Sequence, residues 1–336
     1  ACGIRRAMVS IADAQDLQVR RLSGELWLSL PREELAVEGL QVVDLKRRLH
    51  EEAQGYASSN LQLIVGQRSL QDEDLLEAAW PEEGGPLVVH IVGGILPRAR
   101  RLEMERVAQS LLDSLLLQGL EAFSAAVERM AETELRTHLE LAVVSRALLS
   151  RALLEPHHHE LLAGAAAVLS EQCPDFPAEV PDGPRVAFHR VLLNAVQEEF
   201  ESLTAAKEPA EGSAETPAGE LQQERSRLLA TVGFIGQLFV RRFVAMRVLG
   251  HVVQALIGPR DVRPKPEEHE VACSCTLLEI VGPKLRRRQA GRALIVQICN
   301  RLRDLQRSAQ ADGLPYLSED VRLRIQRLAE APPGDP

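Results

Sequence analysis

From residue 102 almost to the end, apolar side chains recur every three or four residues in about ten successive stretches, each the signature of a helix with one buried face. None of these stripes can be covered within its own stretch, so the helices must bury one another. They run near 103–117, 118–131, 133–155, 157–172, 184–206, 220–240, 242–257, 267–283, 287–308 and 315–330. In the first, Met104, Val107, Leu111 and Leu115 make one stripe. Taken as antiparallel pairs they repeat at roughly 40 to 47 residues, the period of a HEAT-type α-solenoid. Breakers separate them: Pro156, the Pro-rich run 174–184, the polar acidic run 207–219 and the connection 258–268. The run KEPAEGSAETPAG has too few bulky apolar side chains to pack, so 207–219 is expected to be a disordered loop. The expected fold class is mainly α, an α-solenoid of about five helical pairs over residues 102–331.

Before residue 100 the texture is different. Leu22, Leu26, Leu28 and Leu30 alternate with polar residues and read as one strand. Val42, Leu45 and Leu49 form the stripe of a helix near 42–54. Residues 61–70 read as two short strands broken at Gly66, and 86–94 as a last strand closed by Gly93 and Gly94. Aromatic residues are only 3% of the chain, so little more sheet than this is expected. The helix word Val43-Asp44-Leu45-Lys46, the run from Leu61 to Leu70 followed by Asp72, and the closing diglycine resemble a ubiquitin-like domain. The resemblance implies a small α+β β-grasp fold over 21–94, after a tail at 1–20 and before a linker at 95–101. It also implies a recruiting role, with a reader of the ubiquitin-like domain as partner. The chain runs on through Ile95, Leu96 and Pro97, so the diglycine reads as a linker rather than a reactive end.

Three words in the helical part carry a second resemblance. One is Leu192 to Glu201, LLNAVQEEFE, just ahead of the acidic loop. Another is Gly233-Phe234-Ile235-Gly236-Gln237-Leu238-Phe239, with Val248 to Leu256 following. The third is Glu270 to Gly282, EVACSCTLLEIVG, and the helix through Arg322-Leu323-Arg324-Ile325-Gln326 also fits. In this order they resemble the middle domain of eukaryotic translation initiation factor 4 gamma. The same words have plain packing readings. Ile235, Phe239 and Phe243 form an apolar stripe, and Gly233 and Gly236 would admit a neighbouring helix. Cys273 and Cys275 diverge by about 200° on a helix and read as small buried side chains, not metal ligands.

The resemblance implies a non-catalytic scaffold for translation initiation, with an initiation factor 4A type DEAD-box RNA helicase as partner. It places Leu112, Leu115 and Leu120 at apolar contact positions; the same leucines also read as core of an ordinary helix pair. A basic run, Lys284, Arg286, Arg287, Arg288 and Arg292, continues to Arg303 and Arg307, and suggests mRNA as a second partner. A solvated charged face is the plain alternative. His157, His158 and His159 are consecutive and are expected to fan out, so no metal site and no cofactor is expected. Phosphate loops, nucleophile elbows and paired acids in a suitable context are missing, so no enzyme is expected.

The net charge of −9 excludes a uniformly basic nucleic-acid binder. Five scattered cysteines point to a reducing compartment. Asp13 and Asp16 break the only candidate leader, and no apolar run spans a membrane, so the expected location is cytoplasmic. Residues 332–336 form a tail. Two alternatives remain open at this stage: the same helical adaptor in another RNA pathway (nonsense-mediated decay, splicing and exon-junction assembly, or cap binding), or a ubiquitin-pathway adaptor defined by its N-terminal domain.

Overall fold

The computed structural model describes residues 17–21, 26–30, 41–52, 61–66, 68–79, 86–92, 96, 98–177, 185–204, 218–259, 265–307 and 316–330. The chain divides into two compact units, Ala1–Glu103 with Pro177–Arg185, and Met104–Phe176 with Val186–Pro336.

The small unit holds strands β1 (Leu17–Arg21), β2 (Leu26–Leu30), β3 (Gln62–Val65), β4 (Arg68–Leu70) and β5 (Leu87–Val92), with helix α1 (Val42–Glu52) after β2. The sheet order is β2-β1-β5-β3-β4, with β1 and β5 parallel at the centre and the other pairs antiparallel. Leu17, Val19, Leu63, Leu87, Val89 and Ile91 point to one face and bury against Val42, Leu45 and Leu49 of α1. Alternation of two along the strands meets the three-to-four spacing of the helix, which is why both patterns are present in one short segment. The single strand expected at 22–30 is a correction: the alternation of Leu17 and Val19 makes a strand of its own, paired antiparallel with β2. All of that strand but Arg21 lies within the segment expected to be a tail. Gly93 and Gly94 lie outside the described residues.

The large unit is helical: α2 (Arg98–Gln118), α3 (Leu120–Thr133), α4 (His138–Leu154), α5 (His159–Gln172), α6 (Phe188–Thr204), α7 (Ala218–Val240), α8 (Met246–Ile257), α9 (Glu268–Leu285), α10 (Gln289–Arg307) and α11 (Glu319–Glu330). Every helical stretch expected from the sequence is present. The start of α2 falls inside the expected linker, and most of the expected acidic loop lies outside the described residues. Alternate helices pack on one another, α3 on α5, α4 on α6, α5 on α7, α7 on α9 and α9 on α11. Polar ties give their directions. Arg225 reaches Glu267 at 3.2 Å near the starts of α7 and α9, and Lys284 donates to the Val240 carbonyl at their ends, so these two run parallel. Arg303 donates to the Ala329 carbonyl (3.3 Å) and Gln306 to that of Arg322 (3.2 Å), so α10 and α11 run antiparallel. Neighbours that reverse and alternates that repeat are the geometry of a stacked helical solenoid.

Two inner helices start with the same device. Glu140 accepts from the backbone amides of Arg136 (2.5 Å) and Thr137 (2.8 Å), and Glu270 accepts from that of Glu267 (2.7 Å). Both carboxylates are buried, and these capping bonds replace the water they lose. The expected stripe Ile235, Phe239, Phe243 is cut short, because α7 ends at Val240 and Arg242 turns the chain with φ 68°. Cys273 and Cys275 are buried as expected, and burial pushes both thiols up to about 12.

His159 is the polar group at the centre of the α4–α5–α7 packing. Its Nε2–H donates to the Ala152 carbonyl at 2.9 Å, and its ring lies where a Cβ on Gly233 would stand only 3.0 Å away. Gly233→Ala is therefore expected to cost about 1–3 kcal/mol by overpacking. Gly291→Ala should cost more, because the added carbon would overlap the Leu285 carbonyl, which is backbone and cannot rotate away. Urea denaturation of both variants tests this order. Burial also holds the His159 pKa below the free-imidazole value, with the Ala152 bond opposing and His157 adding a little. The unfolded chain then binds the proton more readily, so this contribution to stability is complete above about pH 6.5 and is lost as pH falls through the folded value. Thermal midpoints between pH 7 and 5 should fall more steeply for the wild type than for His159→Gln.

Candidate functional site

Two regions of the solenoid stand out, one apolar and one basic. On α2 the positions expected to touch a partner are not at the surface. Leu112 is 3% and Leu115 0% exposed, packed with Met104, Ala108 and Leu111. Leu120, at the start of α3, is partly buried, with its methyl over Gly164, 3.2 Å from where a Cβ would stand. Leu112 and Leu115 fall on the inward stripe of α2, and that spacing turns them into the core. A leucine that does face water is Leu117, two positions beyond Leu115 and about 200° round the helix. It is 83% exposed, and Leu154 at the end of α4 is 80% exposed.

An ion-pair chain ties these leucines to one corner. Arg151 of α4 pairs with Asp113 of α2 and, at 2.9 Å, with Glu155, while His158 Nδ1 lies 2.9 Å from the other Glu155 oxygen. The His158 bond and then the Arg151 bond hold the Glu155 carboxyl below its ordinary range. Leu117 is four residues beyond Asp113 and Leu154 three beyond Arg151, so both lie within a turn of the pair. Two large apolar side chains beside fixed charges can anchor a protein surface.

The basic region lies where α7 and α9 end together. The Lys284 ammonium is bound to the Val240 carbonyl. Burial lowers its pKa, and so do Arg242, Arg288, Arg287 and Arg241, in that order. The four guanidinium groups are exposed, and among the described residues none of them is paired with a carboxylate. Helix C-termini attract cations, but two of them supply only about one negative charge in total. Against five cations, an excess of roughly four positive charges remains. This excess, and the left-handed backbone at Arg242, fit a site that an anion completes. Of the expected basic residues, the fold gathers Lys284, Arg287 and Arg288. Arg292 is near them, donating to the Arg286 carbonyl at 3.0 Å, and Arg286 lies back over Gly282. Arg303 is engaged with α11 and Asn300, and Arg303 and Arg307 lie ~16 Å or more along α10 from Arg292. Arg241 and Arg242 were missed, being some forty residues from the rest of the cluster in the chain; the double Arg straight after α7 was the available signal.

A groove of about 390 Å³ between the first halves of α7 and α9 is lined by Arg225, Leu229, Glu267, His269 and Cys273. The Cys273 thiol is protonated at neutral pH and serves packing there. No helix among the described residues is long and apolar enough to cross a membrane.

The MIF4G domain family matches residues 105–332. Eukaryotic translation initiation factor 4G of Arabidopsis thaliana is 28% identical over 189 residues, covering 53% of this chain and 10% of the plant protein. Human eukaryotic translation initiation factor 4 gamma 2 is 24% identical over 216 residues, 61% of this chain and 24% of that one. The chain thus spans from a tenth to a quarter of these curated relatives' lengths. The crystal structure of the MIF4G domain of Trypanosoma cruzi translation initiation factor EIF4G5 aligns with 68% of this chain and 94% of that one, at 17% identity and a TM-score of 0.40. With a match that runs from within α2 to the end of α11, the chain belongs to the MIF4G domain family.

Proposed function

We propose that this chain is a non-catalytic translation-initiation scaffold of the cytosol that docks an initiation factor 4A type DEAD-box RNA helicase. The family match and the initiation factors among its relatives support translation over decay, splicing or cap binding. The observation that carries the docking reading is the pair of exposed leucines, Leu117 and Leu154, at the corner held by Arg151 and Asp113. A solenoid stiffened along its length can hold one helicase lobe at this end and the other further along. That favours one relative orientation of the lobes and raises turnover by shifting a conformational equilibrium. Leu112 and Leu115 serve this face from behind, by packing α2.

A second reading concerns RNA. The cluster of Arg241, Arg242, Lys284, Arg287 and Arg288 fits the phosphates of an mRNA strand, bound through charge rather than base identity. For the small unit, the central parallel pair β1–β5 and the packing of α1 support the ubiquitin-like reading, and with it recruitment of a reader protein.

RNA-dependent ATPase assays of an initiation factor 4A type helicase should show stimulation by the full chain. Leu117→Asp with Leu154→Asp should abolish the stimulation and leave the melting temperature unchanged. Leu115→Ala should instead cost about 2–5 kcal/mol of stability, the mark of a core position. No stimulation and no binding by the wild type would refute the helicase reading. For RNA, fluorescence anisotropy with a single-stranded oligonucleotide should show the salt dependence falling by about 0.7–1 per cation removed in Arg241→Ala and Arg287→Ala. An unchanged slope would refute it.

A further inference from the structure

The turn between α4 and α5 holds three ligand-capable side chains, two of which, Glu155 and His158, also belong to the ion-pair chain of the docking corner. Glu155, His157 and His158 each present an oxygen or nitrogen, and these atoms lie within 4.8 Å of one another. His157 and His158 lie in neither α-helix but in a 3-10 turn, Pro156–His158, between α4 and α5, and their side chains come together there. Pro156 fixes its own φ and keeps Glu155 out of the helical region (φ −127°, ψ 68°). The His158 amide donates to the Glu155 carbonyl at 3.0 Å and closes the turn. The third histidine goes the other way: His159 is buried and bound to the Ala152 carbonyl, so it anchors the turn and leaves its neighbours outside. The rings of His157 and His158 then stand 4.0 Å apart, tilted by 51°.

The carboxylate is held as well as near. Arg151 binds one Glu155 oxygen at 2.9 Å and is itself held by Asp113, which leaves the oxygen beside His158 facing the two rings. A partner that orients a ligating carboxylate from behind is a regular feature of metal sites. The turn also follows the C-terminus of α4, whose helix dipole favours a cation.

We propose that Glu155, His157 and His158 form a binding site for a divalent transition metal ion of the Zn2+ class, with water as the fourth ligand. Two imidazoles and one carboxylate suit Zn2+ and disfavour Mg2+ and Ca2+, which take oxygen ligands. Donors about 2.0–2.2 Å from a tetrahedral ion stand roughly 3.3–3.5 Å apart, so closure needs the exposed His157 ring to rotate inward and His158 Nδ1 and the Glu155 oxygen, now 2.9 Å apart, to separate by about half an ångström. The ion takes the place of the His158 Nδ1–Glu155 hydrogen bond: the neutral ring ligates through Nδ1 and carries its single N–H on Nε2. Bound there, it ties the end of α4 to the start of α5.

The test is a Zn2+ titration of the full chain, stripped of metal and carrying Cys2→Ser to remove a competing thiol, against a chromophoric chelator. One equivalent should bind. His157→Ala with His158→Ala should abolish binding, and Arg151→Met should weaken it about 10–100-fold. His189→Ala with His251→Ala, at two exposed histidines elsewhere, should change nothing. On the wild type, Zn2+ should move the ring resonances of His157 and His158 but not those of His159, a readout that does not depend on how the variants fold. Absence of stoichiometric binding, binding that survives the His157/His158 change, or equal loss from the His189/His251 change would overturn the proposal.

Discussion

The packing of α9 on α7 is the contact on which the large unit depends. Residues Thr231 to Gly236 of α7 are buried without a break, which an amphipathic surface helix cannot be. On one side His159 presses against Gly233, and on another Ile280 of α9 comes within 3.1 Å of where a Cβ on Gly236 would stand. α9 also touches α8, α10 and α11, so it links the last third of the solenoid to the rest. Arg324 extends the stack by donating to Thr276 at 2.7 Å and to both oxygens of Glu279. Larger side chains at these glycines would separate helices whose apolar faces have no other cover.

Parallel stacking has an electrostatic consequence. When α7 and α9 run the same way, their C-termini and the turns that follow lie side by side. Arg241 and Arg242 then face Lys284, Arg287 and Arg288, and a chain with a net charge of −9 acquires a local positive face. The closeness of Gly291 to the Leu285 carbonyl keeps the α9–α10 turn tight enough to hold Arg287 and Arg288 there. A different geometry at the α2–α4 corner leaves apolar side chains in water beside an ordered ion-pair chain. The first arrangement suits phosphate and the second suits protein, and they lie on different helices of one scaffold.

Much of this was legible in the sequence, for definite reasons. Helices announce themselves by a stripe, so all ten in the large unit were found, and so was the burial of Leu45, Cys273 and Ile235. Features that depend on packing partners were not legible. For Leu112 and Leu115 the sequence offers both a docking and a core reading, because family resemblance marks a position without saying which way it faces; both are buried, and Leu117, off the stripe, is 83% exposed. Arg241 and Lys284 meet only because two helices end together. The histidine run reads as the start of a helix, whereas the α-helix begins at His159 and the rings of His157 and His158 stand 4.0 Å apart in the turn before it. Strand β1 was missed because its short alternation sits in a polar segment and needs β2 and β5 to bury Leu17 and Val19.

The central claim is that the helical unit, and not the small sheet unit, receives the helicase, at the corner where α2 and α4 end. Hydrogen–deuterium exchange on the full chain, with and without an initiation factor 4A type helicase, tests it most directly. The account predicts slower exchange, by about tenfold or more, at the end of α2 near residues 113–118 and from 150 to 158, beyond any change in the small unit. Protection confined to residues 17–92, or none anywhere in the solenoid on binding, would contradict it.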